Sequence, residues 1–146
     1  MRVVVQRVKR ASCIVDNKVV GDITNGYMLL VGFTNTDTSI NVQKMAQKIN
    51  NLRVFEDEQD KMNLNIHQVG GSVLSISQFT LYADTKKSNR PSFTTSMERN
   101  KAIILYNEFN DLLRNEYGLV VETGCFGEHM YLDVLCDGPV TINLEN

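Results

Sequence analysis

Long stripes of apolar residues at helical spacing occur only twice in this 146-residue chain, and this limits what the chain can fold into. The first stripe begins near Thr38 or Ser39 and consists of Val42, Met45, Ala46, Ile49 and Leu52. The second follows Thr95–Glu98, which fits a capping box, and it runs to a glycine stop at Gly118. Its members are Ala102, Leu105, Tyr106, Phe109, Leu112 and Leu113. With two long helices, most of the core has to come from strands.

Strand patterns account for most of the remaining apolar residues. β-branched residues run from Val3 to Val15, a turn is predicted at Asp16–Lys18, and Val19–Ile23 is the hairpin partner. Further strands are predicted at 27–33, 53–55, 72–79 and in two or three segments after the second helix. Many strands and two helices predict an α/β protein, with a substantial mixed or antiparallel sheet on which the helices pack.

The bulk properties are those of an ordinary soluble globular protein. The hydrophobic content is 42% and the charged content 22%, and 146 residues are most simply one domain, residues 1–146. No apolar run approaches the length of a bilayer-spanning helix, and the first residues are charged and strand-like rather than a secretory signal. We therefore expect a cytoplasmic protein without a membrane partner.

The residues that bind metals and nucleic acids are sparse. Cys13, Cys125 and Cys136 show no metal-ligand spacing and the chain has only two histidines, so neither a metal site nor another cofactor is predicted. The cysteines are interpreted as reduced thiols. A net charge of −2 is not that of a general nucleic-acid binder, but it is compatible with binding only the end of an RNA, where few phosphates need neutralising. Two basic clusters, Arg7–Arg10 and Lys86–Arg90, are interpreted as solvated surface.

A search for a nucleophile paired with a base finds none of the usual arrangements. The hydroxyl and thiol candidates are Ser77, Thr80, Ser88, Ser92 and Cys125. Nothing in the sequence places His67 or His129 beside any of them, as a catalytic triad or dyad requires. No Walker loop, dinucleotide fingerprint or zinc-protease motif is present. The acidic run Glu56–Glu58 is interpreted as solvated, and Gly70–Gly71 as a turn.

Two stretches are unusual in structural terms. Ser77-Gln78-Phe79-Thr80 ends a predicted strand, where free backbone N–H groups facing a pocket could stabilise a developing oxyanion; an ordinary strand exit is the alternative. The other stretch is Cys136-Asp137-Gly138-Pro139-Val140-Thr141. Its Asp-Gly pair alone predicts a tight hairpin turn. The proline that follows removes a strand N–H, and its peptide bond tolerates the cis form; a trans turn proline is the alternative.

Together these two stretches resemble the S-Q-F-T and N-x-G-P-V-T motifs of the D-aminoacyl-tRNA deacylase family. Other segments resemble family signatures and occur in the family's order: Val5–Val8, Arg10–Ser12, Asn51–Phe55, Lys61–Leu64, Gln78–Thr85, Arg90–Phe93 and Glu122–Gly124. Because the set covers nearly all of the chain, the sequence is identified as a member of this family.

The resemblance implies a fold, a partner and a reaction. The resemblance implies a homodimer. In each subunit, mixed and antiparallel β-sheets form a barrel-like core flanked by two long helices. The reaction is hydrolysis of the ester between a D-amino acid and the 3′-terminal adenosine of tRNA, and the removal of glycine mischarged on tRNA-Ala. The 2′-hydroxyl of the terminal ribose assists catalysis, so neither a protein base nor a cofactor is implied.

The resemblance also assigns residues. A cis Gly138–Pro139 bond of each subunit enters the partner's active site, where its carbonyl groups hold the substrate's amino group and exclude L side chains. Arg7 orients this chiral filter. At the catalytic site, the Phe79 backbone N–H binds the substrate carbonyl, and the pocket is shaped by Ser77, Gln78 and Thr80.

Two residues depart from the family pattern. Cys136 stands where the family has asparagine, and a thiol makes weaker hydrogen bonds than an amide. His129 stands where an acid is expected; it is interpreted as peripheral, with a role at the RNA end left open. The alternatives to an enzyme are a non-catalytic dimeric module that binds an RNA end, and a purely structural β-rich dimer.

Overall fold

The computed structural model describes residues 1–146, which form eight strands, two α-helices, a 3-10 helix and a π-helical turn. The strands are β1 Arg2–Val15, β2 Lys18–Ile23, β3 Gly26–Gly32, β4 Arg53–Glu56, β5 Met62–Asn65, β6 Ser72–Ser77, β7 Val121–Thr123 and β8 Tyr131–Glu145. The helices are α1 Ser39–Asn51, the 3-10 helix Phe79–Tyr82, α2 Arg99–Asp111 and the π-helical turn Leu112–Glu116. No helix has the length and apolar character needed to span a membrane.

Six strands form a mixed sheet that nearly closes into a barrel around β1. Along one edge β1 pairs antiparallel with β3 and then with β2, and along the other edge it pairs with β8. The pairs β3–β6 and β6–β7 are parallel, since α1 and α2 lie in the connections between these strands. β4 and β5 form a second, two-stranded sheet. The predicted α/β class, with a barrel-like core and two flanking helices, is confirmed.

The two predicted helical stripes face the main core. In α1 the buried residues are Val42, Met45, Ala46 and Ile49, and in α2 and the turn after it they include Tyr106, Phe109 and Leu113. These side chains join one face of the sheet in a cluster of 21 buried residues, and a smaller cluster around Cys13 and Leu74 lies apart from it. The helices thus cover one side of the sheet, and the ends of β3 and β6 remain accessible beside the start of α2.

The start of α2 differs from the predicted capping box. The helix begins at Arg99, and the carboxylate of Glu98 accepts hydrogen bonds from the N–H groups of Asn100 and Lys101. Thr95 is used elsewhere, because its hydroxyl donates to the Tyr82 carbonyl at 3.2 Å. The prediction failed because the Thr95 side chain, although suited to capping, forms its hydrogen bond with a residue outside the helix.

We expect Glu98→Ala to lower the free energy of unfolding by about 1 kcal/mol, because two N–H groups at the start of α2 lose their acceptor. Urea unfolding followed by circular dichroism measures the change. The matched control is Glu58→Ala, which removes an exposed carboxylate without a hydrogen-bond partner in the structure. Equal midpoints for the two variants would contradict the assignment of Glu98 as the cap.

Two segments near the predicted site also differ from expectation. The strand predicted at 72–79 ends at Ser77, and the chain then turns into the 3-10 helix. The hairpin predicted at Asp137–Gly138 is wrong, because β8 continues through these residues and pairs with β1 on both sides of them. Gln6 pairs with Thr141 and Val8 with Cys136, so the four residues between Cys136 and Thr141 bulge out opposite one residue of β1.

Candidate active site

A cavity of about 500 Å³ opens where β3 and β6 end. Part of its lining comes from Ser77, Gln78 and Phe79, which leave β6 and enter the 3-10 helix. The opposite wall comes from the start of α2 and from the segment that leads into β8. Its lining residues are Val31, Gly32, Phe33, Ile76, Ser77, Gln78, Phe79, Met97, Arg99, Ala102, Phe126, Gly127, Glu128, His129, Met130 and Leu132. The volume is in the range of small-molecule sites.

One backbone N–H group after the end of β6 belongs to a residue that lines this cavity and has no acceptor in its own helix. The Gln78 N–H is engaged, since it donates to the Val31 carbonyl at 2.7 Å. Phe79 is the first residue of the 3-10 helix, so its N–H has no acceptor within that helix. The Gln78 side-chain amide donates to the Thr80 hydroxyl. Thr80 itself is exposed and does not line the cavity.

Arg7 lies in a second group of predicted site residues, and it is buried rather than solvated. Its side chain is only 4% exposed. The guanidinium donates to the carbonyls of Val54, at 2.8 Å, and Asp137, at 3.2 Å. It is also ion-paired, at 3.3 Å each, with the carboxylates of Glu56 and Asp137. The interpretation of Arg7 as a solvated charge is therefore wrong, because partners far along the chain enclose it. The Glu56 side chain is 54% exposed, so its interpretation as solvated is confirmed.

Gly138 and Pro139 form the exposed part of the bulge that Arg7 holds. Their peptide bond is cis. Gly138 has φ +122°, and a Cβ there would lie 2.9 Å from Cγ2 of Val140, so only glycine fits without strain. Neither residue lines the cavity of its own chain. Within one subunit the predicted site residues therefore form two groups, with Ser77, Gln78 and Phe79 in one and the bulge with Arg7 in the other.

Cys136 precedes the bulge and takes part in its attachment to β1. Its thiol donates to the Gln6 side-chain oxygen at 3.2 Å. A thiol is a weak donor and Cys136 is exposed, so this bond contributes less than those of Arg7. The bulge is held chiefly by the buried guanidinium.

The model of a protein family described as D-Tyr-tRNA(Tyr) deacylase matches residues 4–145. The chain belongs to this family. The match spans both groups of site residues, and the predicted class of enzyme, a deacylase and therefore a hydrolase, is confirmed with it.

Similar proteins support the assignment along the whole chain. The D-aminoacyl-tRNA deacylase of Exiguobacterium sp. is 54% identical over 145 residues, which are 99% of this chain and 98% of that protein. The D-aminoacyl-tRNA deacylase of Shouchella clausii is 54% identical over 146 residues, 100% of this chain and 99% of that protein.

Solved structures share the fold. A structure described as c-Myc DNA unwinding element binding protein superposes with a TM-score of 0.95 at 39% identity, and covers 100% of this chain and 99% of that one. A probable eukaryotic D-amino acid tRNA deacylase superposes with a TM-score of 0.83 over 98% of both chains. Its identity is 16%, so it is evidence for the deacylase fold alone.

The nucleophile candidates have no base beside them. Ser77 and His129 line the same cavity, but no hydrogen bond joins their side chains. Ser88 and Ser92 lie on an exposed loop. The half-buried thiol of Cys125 forms no hydrogen bond with a histidine, as a catalytic dyad requires.

Sequence reasoning missed several residues that line the cavity. Met97, Arg99 and Ala102 come from the start of α2, and Phe126 and Gly127 from the segment before β8. No short motif marks them, because they reach the cavity only when α2 packs beside the end of β6. His129, interpreted as peripheral, also lines this wall and contacts Tyr131 edge-on at 5.0 Å between ring centroids.

Proposed function

We propose that this chain is a tRNA-editing enzyme that hydrolyses the ester between a D-amino acid and the 3′-terminal adenosine of tRNA in the cytosol. Membership of the deacylase family over residues 4–145 supports this reaction. The observation that carries the proposal is the Phe79 N–H at the cavity, which has no acceptor in its own helix. Such a donor suits the oxyanion that forms during ester hydrolysis.

In the proposed mechanism the protein supplies position and electrostatics. The Phe79 N–H donates to the ester carbonyl, and Ser77 and Gln78 shape the pocket around it. Water adds to the carbonyl carbon, helped by the 2′-hydroxyl of the terminal ribose, and the oxyanion forms at the N–H. The bond to the 3′-oxygen then breaks, and this oxygen takes a proton. The products are the free amino acid and tRNA with a free 3′-hydroxyl, and no protein nucleophile is required.

The proposed chiral filter is supplied by a second copy of the chain. Gly138 and Pro139 are exposed and outside the cavity of their own subunit, and β8 also exposes the apolar side chains of Tyr131, Leu132 and Leu135. A homodimer would cover these residues and insert the bulge into the partner's cavity. There the two carbonyl groups would hold the substrate's amino group, and an L side chain would clash. Glycine has no side chain to clash, so glycine mischarged on tRNA-Ala would also be hydrolysed.

The test is the release of tyrosine from D-Tyr-tRNA and from L-Tyr-tRNA by purified protein. We expect hydrolysis of the D ester alone, by a dimer in size-exclusion chromatography. Equal rates on both esters, or none on either, would contradict the proposal. Pro139→Ala should reduce the ratio of D to L rates or abolish activity, because Pro139 contributes to the filter. The control Ile104→Ala changes an exposed residue of α2 outside the cavity, and it should retain the wild-type ratio.

Thr80→Ala is expected to keep kcat for D-Tyr-tRNA within about threefold of wild type, a change of about 0.6 kcal/mol. Thr80 is exposed and lies outside the cavity, where its hydroxyl only accepts from the Gln78 amide. Single-turnover deacylation measures the effect, and circular dichroism confirms folding. A folded but inactive variant would instead identify Thr80 as a nucleophile.

A second candidate function is a non-catalytic module that binds a nucleic-acid end. The name of one similar structure, a DNA-unwinding-element binding protein, favours it. Retention of charged tRNA on a filter without release of the amino acid would support this module and reject the enzyme.

A further inference from the structure

The side chain of Arg99 packs closely against the backbone of Gly127 in the wall of the cavity. A Cβ built on Gly127 would lie 2.3 Å from Nη2 of Arg99 and 2.6 Å from its Cζ, so the guanidinium lies directly against the glycine backbone. Gly127 also has φ +81°, a conformation that favours glycine. Arg99 is the first residue of α2, and its side chain is accommodated there because residue 127 has no side chain.

The guanidinium of Arg99 has no acceptor in the protein. It forms no ion pair within 4 Å and no side-chain hydrogen bond, whereas partners are present for Arg2, Arg7, Arg10, Arg53 and Arg114. It is the only lysine or arginine that lines the cavity, and the other titratable lining residues are Glu128 and His129. The Glu98 carboxylate next to it is engaged by backbone N–H groups. An unpaired guanidinium beside the cavity suits an anion with several acceptor oxygens.

We propose that Arg99 binds the phosphodiester that joins the terminal adenosine of the tRNA to the preceding nucleotide. This inference rests on the proposed function, which places the terminal nucleoside in the cavity. The rest of the RNA then has to leave through the mouth, and this phosphate is the first anion along the strand. Arg99 is exposed to solvent while it lines the cavity, which puts it at the mouth rather than the floor.

The decisive comparison uses two substrates, D-Tyr-tRNA and the 3′-O-D-tyrosyl ester of adenosine, which has no phosphate. Arg99→Gln should raise KM for the tRNA about tenfold, the equivalent of 1.4 kcal/mol, and leave kcat unchanged. The salt dependence of log KM should become shallower by about 0.7, the value for one phosphate contact to a single strand. Both constants for the adenosine ester should stay at wild-type values. The control Lys101→Gln removes the charge of an exposed helix residue outside the cavity, and it should change none of these constants.

Gly127→Ala provides a second route to the same result, because its methyl group displaces the guanidinium. It should raise KM for the tRNA alone, and the double variant should be no worse than either single one. An equal loss on both substrates, or wild-type constants for Arg99→Gln, would overturn the inference and leave the proposed deacylation standing. If the wild type binds charged tRNA without hydrolysing it, the proposed function fails, and the same comparison made on Kd for tRNA and adenosine ester still decides the role of Arg99.

Discussion

Phe79→Pro is expected to lower kcat for D-Tyr-tRNA by about 10²–10³-fold, as does the loss of an oxyanion donor in other enzymes. Proline removes the backbone N–H, which is the group proposed to bind the oxyanion. The substitution suits the local backbone, because proline is favoured at the first position of a helix. Proline disfavours helical backbone angles at the residue before it. Gln78, which would precede the proline, has φ −144° and ψ 84°, outside the helical region.

Phe79→Ala is the matched control, since it removes the ring and keeps the N–H. It loses the edge-to-face contact with Phe93, whose ring centroid is 5.1 Å away, but it should retain most of kcat. Single-turnover kinetics on the two variants separate the backbone from the side chain. If both variants lost activity equally, the ring rather than the N–H would be the important group, and the proposed oxyanion site would be wrong.

Arg7→Ala is expected to destabilise the fold by about 1–3 kcal/mol, the usual cost of leaving a buried hydrogen-bond acceptor without its donor. The carbonyl of Val54 and the carboxylate of Asp137 would each lose a partner that is only 4% exposed. Because the same guanidinium holds the Asp137 carbonyl, the Gly138–Pro139 bulge should also lose its orientation. Urea unfolding measures the first effect, and the ratio of D to L deacylation rates in folded protein measures the second.

Arg10→Ala is the control for charge on the same strand. Arg10 pairs with Asp133 at 2.7 Å, but both side chains are more than half exposed, so its removal should cost about 0–1 kcal/mol. Arg7→Lys keeps the charge without the planar fork, and we expect it to fold while the D to L ratio falls. If Arg7→Ala were as stable and as selective as Arg10→Ala, the bulge would not depend on Arg7.

Local patterns predicted most of the regular elements. Four of the five residues in the α1 stripe were confirmed as buried, and the fifth, Leu52, follows the helix as its C-cap. The hairpin turn between β1 and β2 was also confirmed, and there Asp16 and Asn17 take φ +49° and +61°. The helical stripe repeats every three to seven residues, and the turn depends on two adjacent positions. Residues close together in the sequence are therefore enough to define both. The strand β5 was missed because its four residues, Met62–Asn65, alternate too briefly to show a period.

Long-range contacts decided what the local patterns could not. Asp-Gly followed by a strand predicted a hairpin, yet the long strand β1 pairs with β8 on both sides of Gly138, so the chain bulges there and does not reverse. Arg7 looked like surface charge, but Asp137, 130 residues further along the chain, lies against its guanidinium. Arg99 carried no sequence signal at all, because its position depends on the backbone of Gly127.

By itself, therefore, the sequence determined the two helices, most strands and membership of the deacylase family, since all of these rest on the order and spacing of residues along the chain. Only the tertiary structure decided that the Gly138–Pro139 bulge lies outside its own cavity, that Arg7 is buried and that Arg99 stands unpaired at the mouth. Each of these depends on backbone segments far apart in the chain that meet only after β1 has paired with its neighbours and α2 has packed beside β6. Whether a charge is buried or paired depends on these long-range contacts, which no short-range sequence pattern encodes.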